Sequence, residues 1–177
     1  MDFFEAVEKR YSHKDKFLPN AVPVEHLELI AKAGLAAPTG SNSQCVRLVI
    51  LPDRELLEQF SQMITNNALA TAPAAIAILT DSTPQGDMLI FELEDYSAAI
   101  QSMSLAATAL GYVSLWLDYP FTKEPIQKAA LKALGAPENC YLHAVLPVGL
   151  PDGPGSRREK LPYEARVSYR RFGGKKG

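Results

Sequence analysis

The chain is poor in the residues on which several classes of protein depend. Its 177 residues include two cysteines and three histidines. Two cysteines cannot build a disulfide framework, a four-cysteine metal centre or an iron–sulfur site, and the histidines lack metal-ligand spacing. We therefore expect no metal, histidines that are structural or solvated, and a reduced, cytoplasmic setting.

Long apolar runs and an excess of one charge are missing as well. No stretch approaches about 18 uninterrupted apolar residues, so no membrane-spanning helix is predicted. The first residues do not combine a basic region with an apolar run, so we expect no signal peptide. A formal charge of −2 and a pI near 5.9 give no electrostatic case for nucleic acid as a partner.

The composition that remains is that of an ordinary globular protein. Hydrophobic residues make up 47% of the chain and charged residues 21%. Neither a repeat nor a linker interrupts the sequence, so one domain over residues 1–169 is predicted. Residues 170–177 are basic and rich in glycine, and we expect them to form a mobile tail.

Apolar periodicity and the Gly and Pro positions predict a mixed α+β chain. Helices and strands intermingle without regular βαβ spacing, which favours an α+β sandwich over a doubly wound fold. The long helix carries Glu94 and Asp95 in its first half, and we expect these acids to form a solvated face, with an acid at the mouth of a site as the alternative. The predicted helices cover residues 2–10, 23–36, 54–64, 88–110 and 125–134, and the predicted strands cover 45–51, 71–80, 113–117 and 141–150.

Three polar segments could bind a ligand. Residues 9–14 contain Arg10, Ser12 and Lys14, which offer a bidentate guanidinium, a hydroxyl and a point charge, enough for one phosphate group. Alternatively, they form only a solvated helix end. Residues 37–44 (Ala-Pro-Thr-Gly-Ser-Asn-Ser-Gln) form a loop of small hydrogen-bonding groups, which suits the polar edge of a flat ligand or a well-capped turn.

The third segment follows the last predicted strand. Gly149 at the strand end allows close approach of backbone to a ligand. Arg158 and Lys160, two residues apart in extended chain, can point the same way and join Arg10 at a phosphate.

In this order, the segments resemble the FMN-dependent nitroreductase family over nearly the whole chain. The family begins with a short helix and an Arg-x-Ser-x-Lys-like cluster, followed by a Pro-Ser-Ser-x-Asn-x-Gln-like loop. Further matching motifs are Ala72-Pro73 before an aliphatic strand, Ala106 to Gly111 at a helix end, Pro147 to Gly149, and the Arg158, Lys160, Glu164 pattern.

The resemblance implies a three-layer sandwich with a mixed, mostly antiparallel central sheet flanked by helices. It also implies a homodimer with FMN at the subunit interface. Arg10 and Ser12, with Arg158 and Lys160, would hold the FMN phosphate, and Lys14 would lie near the N1/O2 edge of the ring. Thr39 and Gly40 would line the phosphate and ribityl side, partly from the other subunit, while Asn42 and Gln44 would bind ribityl or ring oxygens. The backbone around Asp118 and Tyr119 would present an N–H to flavin N5, and Tyr11, Pro38 and Gly149 complete the implied cofactor-binding set.

The implied activity is a ping-pong transfer of hydride from NAD(P)H through flavin to a nitroaromatic, quinone or similar flat acceptor. No side chain is assigned as catalytic, because the flavin carries the chemistry. Other readings are a related flavoprotein with a different reaction (dehalogenation or flavin fragmentation), an FMN-binding electron-relay module, and a domain for another phosphorylated ligand.

The chain departs from the family pattern at three places. Gly40 replaces the usual second serine, Cys45-Val46 replaces Pro followed by an aromatic residue, and Lys160 stands where arginine is common. The first departure removes one hydroxyl, the second predicts a less rigid exit from the loop, and the third gives up bidentate contact for a point charge.

Overall fold

The computed structural model describes residues 1–81 and 91–177. Its helices are α1 (Phe3–Lys9), α2 (Val24–Leu35), α3 (Glu55–Met63), α4 (Asn67–Thr71), α5 (Glu92–Ala109) and α6 (Glu124–Leu134). Its strands are β1 (Val46–Leu51), β2 (Ala74–Asp81), β3 (Val113–Ser114) and β4 (Cys140–Gly149). Short 3₁₀ segments cover Tyr119–Thr122 and Tyr163–Ala165, and a turn with left-handed φ angles at Ser41 and Asn42 covers Gly40–Asn42.

The four strands form one sheet in the order β1-β2-β4-β3, and each neighbouring pair is antiparallel. A parallel bridge between Ser12 and Ser114 adds the segment after α1 to the edge beside β3. The sheet is therefore mixed and mostly antiparallel, as predicted.

Strand β2 divides the core into two layers, because successive side chains point to opposite faces. Ala75, Ala77 and Leu79 face a cluster that contains buried residues of α3, α4 and α6. The alternate residues, among them Ile76 and Ile78, face a cluster formed with α2 and α5. Helices thus cover both faces of the sheet, and the predicted α+β three-layer sandwich is confirmed.

Most predicted elements are present, but one is wrong at its start. The predicted strand over 71–80 begins only at Ala74, because Thr71 is the last residue of α4. Asn66 caps that short helix, since its side-chain oxygen accepts a hydrogen bond from the Leu69 N–H at 2.9 Å. The strand predicted over 113–117 is regular only at Val113–Ser114, and the predicted start of the long helix at residue 88 lies outside the described residues.

Candidate functional site

A cationic cavity of about 430 Å³ lies between the end of α1 and the C-terminal segment. We call it the cationic pocket. Five basic side chains and one acidic side chain line it, which makes it suited to an anion such as phosphate. The residues at this cavity are Val7, Glu8, Arg10, Tyr11, Ser12, Lys14, Ser156, Arg157, Arg158 and Lys160. The fold therefore brings together the two predicted phosphate segments, although some 145 residues of chain separate them.

Backbone and core contacts fix the first of these segments. The His13 N–H donates to the Ser114 carbonyl oxygen at 3.0 Å, and the Phe17 N–H donates to Thr71 Oγ1 at 2.9 Å. His13 is buried, its Nε2 lies 2.8 Å from the Lys16 carbonyl oxygen, and its ring packs edge-on against Phe17. With His13 and Phe17 turned inward, the exposed Ser12 lies on the opposite side of the extended chain, at the cationic pocket.

Arg157 ties the second segment to α1. Its guanidinium donates to the carbonyl oxygen of Glu8 at 2.6 Å and to that of Lys9, at the C-terminal end of the helix. It also lies over the Tyr11 ring, 5.4 Å from the ring centre. A Cβ on Gly155 would come within 2.4 Å of the Tyr11 hydroxyl, and the φ of Gly155, 65°, also favours glycine at this position. Burial raises the pKa of Tyr11, against the opposing charge of Arg157.

The polar loop lines a second cavity, of about 920 Å³, between α2, β1 and α5. We call it the loop pocket. Of the predicted loop residues, Pro38, Thr39, Asn42 and Gln44 lie at its wall. Thr39 Oγ1 accepts a hydrogen bond from the Gln44 N–H at 3.2 Å, and the Gln44 and Asn42 side chains are joined at 3.3 Å. The cationic pocket and the loop pocket share no lining residue in the described part of the chain.

Asp95 corrects the expectation of a solvated acidic face. Glu94 is exposed, as predicted, but only 2% of Asp95 is accessible to solvent. Asp95 lies at the wall of the loop pocket, where Gly40 N–H and Ser43 Oγ each donate to its carboxylate at 2.7 Å. Its sequence position on the first turns of α5 gave no sign of these contacts, because they join residues more than 50 positions apart.

Four of the predicted residues line neither cavity: Gly40, Asp118, Tyr119 and Gly149. Asp118 and Tyr119 are exposed, and the Tyr119 N–H donates to Asp118 Oδ1 at 2.6 Å. Gly149 is buried at the end of β4, where a Cβ would come within 2.8 Å of Pro73 and 2.9 Å of Phe17. Close packing is therefore one reason for glycine at this position.

Among residues 1–81 and 91–177, no three His, Cys, Asp or Glu side chains are grouped so that they could hold a metal ion. None of the helices in these ranges has the length and apolar character needed to cross a bilayer.

The sequence matches the model of the nitroreductase family over residues 7–75 and 59–150. The chain belongs to the nitroreductase family. This family consists of oxidoreductases. The matched ranges contain both the Arg10 segment and the polar loop, but they end before Arg158 and Lys160.

Known nitroreductase-like proteins resemble this one over most of their length. A protein of Archaeoglobus fulgidus named "Putative NADH dehydrogenase/NAD(P)H nitroreductase" is 36% identical over 143 residues, which cover 80% of this chain and 78% of the relative. The structure of an FMN-dependent nitroreductase from Clostridium difficile R20291 has a TM-score of 0.80 and 26% identity, and covers 96% of this chain and 99% of its own. A nitroreductase with bound FMN from Bacteroides fragilis has a TM-score of 0.77 at 20% identity, covering 95% and 98%, and shares the fold.

In this member of the family, the start of α5 accounts for the glycine that replaces the usual serine. A Cβ on Gly40 would come within 2.2 Å of the Phe91 ring. The Phe91 carbonyl oxygen accepts from the Asp95 N–H at 2.8 Å, one helical turn away. The start of α5 thus supplies both the ring that packs on Gly40 and the carboxylate that accepts from its N–H.

Proposed function

We propose that this nitroreductase binds FMN and passes hydride from NAD(P)H, via the flavin, to a nitroaromatic, quinone or similar flat acceptor. NAD(P)H and the acceptor would use the same space in turn, in a ping-pong scheme. The observation that carries the proposal is the cationic pocket, in which Arg10, Ser12 and Lys14 meet Arg158 and Lys160. The name of the Archaeoglobus relative supports NAD(P)H as the co-substrate, and that of the Clostridium relative supports FMN as the cofactor.

The residues present fit an FMN phosphate. Arg10 and Arg158 offer planar forks for its oxygens, Ser12 a hydroxyl, and Lys160 a point charge. We assign Lys14 to the ring side of the cationic pocket, where a positive charge stabilises negative charge on the flavin. Bound FMN supplies the hydride and electron transfer, and the protein supplies position and electrostatics.

We further propose a homodimer in which the cofactor lies between two chains. The cationic pocket and the loop pocket are separate in one chain, and a partner chain can supply the loop that completes the site. Apolar surface suitable for burial is present, because Phe3 and Phe4 on α1 are 64% and 77% exposed. Thr39 and Gly40 are then assigned to the partner's phosphate and ribityl side, and Asn42 and Gln44 to ribityl or ring oxygens.

Replacing Arg10 with alanine tests the phosphate assignment. The R10A variant should bind FMN about 10- to 100-fold more weakly, because a hydrogen bond to a charged group contributes about 1.5–3 kcal/mol. Riboflavin, which has no phosphate, should bind equally well to both proteins. Flavin fluorescence titration of the apoprotein measures both affinities.

Lys132→Ala is the matched control for Arg10→Ala, since it removes one positive charge from the exposed last turn of α6, away from the cationic pocket. FMN content that stays unchanged in R10A after extensive dialysis would refute the role of Arg10.

A further inference from the structure

The polar loop is held in a conformation that its residues do not favour. Ser41, Asn42 and Gln44 have φ angles of 52°, 54° and 49°, in the left-handed region. Residues with a Cβ enter this region at a cost, and they remain there only where surrounding contacts determine the backbone. Asn42 and Gln44 also lie at the wall of the loop pocket. The contacts that hold this backbone therefore control how the two amides are presented.

One buried carboxylate makes contacts on both sides of the left-handed residues. Asp95 Oδ1 accepts from the Gly40 N–H at 2.7 Å, before them. Asp95 Oδ2 accepts from Ser43 Oγ at 2.7 Å, between Asn42 and Gln44, and from Cys45 Sγ at 3.5 Å, after them. Such bonds are stronger to a charged acceptor than to a neutral one.

We propose that Asp95 is the positioning residue of the ligand loop: it holds residues 40–45 in the left-handed conformation that presents Asn42 and Gln44 to the flavin. The inference rests on the proposed function for the identity of the ligand, but not for the state of the loop. It also gives the exit of the loop a contact at the position of the usual proline after Gln44. The Cys45 thiol occupies that position and donates to the same carboxylate.

The test uses Cys45 as a reporter in the apoprotein, in a Cys140→Ala background that leaves it as the single thiol. Burial, with the neighbouring Asp95 carboxylate, raises the pKa of this thiol, so alkylation by iodoacetamide should be slow in the parent protein. Asp95→Asn should accelerate alkylation by about tenfold, because it replaces a charged acceptor with a neutral amide.

Two variants separate loosening of the loop from loss of charge. Glu94→Gln removes one negative charge from the same helical turn at an exposed position and should leave the alkylation rate unchanged. Ser43→Ala keeps the Asp95 charge but removes one donor of the loop. The Ser43 hydroxyl also lowers the pKa of the Cys45 thiol, so its removal alone would slow alkylation, and the faster alkylation that we expect of S43A therefore reports a loosened loop. Equal rates in the parent protein, D95N and S43A would overturn the proposal. Far-UV circular dichroism checks that each variant is folded.

Flavin titration of the same variants tests the ligand part of the proposal. Asn42 and Gln44 are assigned to ribityl or ring oxygens, which FMN and riboflavin share, so D95N should weaken both affinities, by about tenfold. A weakening confined to FMN would overturn the assignment. If the parent protein binds neither flavin, the proposed function fails, whereas the alkylation rates still decide whether Asp95 holds the loop.

Discussion

Arg157 and Asp95 bind backbone and side-chain groups of their own chain, and each shapes one cavity. Arg157 donates to the last carbonyl oxygens of α1, where the negative end of the helix dipole favours a cation. Asp95 accepts from the Gly40 N–H and the Ser43 hydroxyl. Neither Arg157 nor Asp95 is among the predicted cofactor-binding residues, yet each contacts a segment that carries some of them.

His143 is a third side chain whose environment has a measurable consequence. Its Nε2 lies 2.7 Å from the hydroxyl of the buried Thr80, and its ring stacks on Tyr96 with the ring centres 4.2 Å apart. Burial lowers the pKa of His143 below its ordinary value of about 6.5, although the charge of Glu92 opposes the shift.

This lowered pKa predicts how stability depends on pH. The unfolded chain binds the His143 proton more tightly than the folded chain, so protonation favours unfolding. The contribution of neutral His143 to the free energy of unfolding is complete above about pH 6.5. It is lost as the pH falls through the lower pKa of the folded state. Urea unfolding from about pH 7.5 to about pH 5 should therefore show a steeper loss of unfolding free energy in the parent protein than in His143→Gln. Identical slopes of unfolding free energy against pH in the two proteins would contradict a lowered pKa of His143.

At the scale of elements, the end of β4 packs closely on the entry to β2. Gly149 lies against Pro73, which precedes β2, and against Phe17, which follows the cationic segment. Gly149→Ala should lower the free energy of unfolding by about 1–3 kcal/mol, because the added methyl group overpacks a dense site. Urea denaturation measures the change.

Gly177→Ala is the control, since nothing lies within 4 Å of that position. A Gly149→Ala variant that keeps its stability yet binds flavin more weakly would assign this glycine to ligand approach instead of packing.

The sequence predicts elements best where local signals are strong. Gly135 ends α6 with a φ of 64°, at the predicted position. The error at Thr71 has a local cause as well, because five residues capped by Asn66 are too short to show helical periodicity. The region 113–117 reads as a strand from its apolar residues, but Leu117 meets β4 only through an isolated bridge to Val145.

In the candidate site too, residues within local motifs were predictable, and contacts between distant segments were not. Arg10, Ser12, Lys14, Arg158 and Lys160 could be assigned to one cavity because ordered motifs resemble those of a family, and the fold brings them together. The contacts of Arg157 and Asp95 could not be predicted, because each joins segments that are distant in sequence and depends on side-chain geometry. The sequence predicted a solvated face for Asp95 and gave no contact for Arg157.

At the scale of the whole molecule, one chain carries two cavities that share no lining residue in the described part of the chain. The cationic pocket has groups that suit a phosphate, and the loop pocket has amides and hydroxyls that we assign to the rest of the cofactor. In the proposed dimer, the loop of a second copy of the chain completes each cationic pocket. Flavin binding and dimerisation are then linked.

Native mass spectrometry of the purified protein, incubated with FMN and then desalted, measures whether FMN is held by a dimer. A site shared between two chains predicts a dimer that carries two FMN molecules, with little FMN retained on any monomer. A monomer that retains FMN fully would contradict the shared site. A protein that takes up no FMN in any state would contradict the proposed function itself.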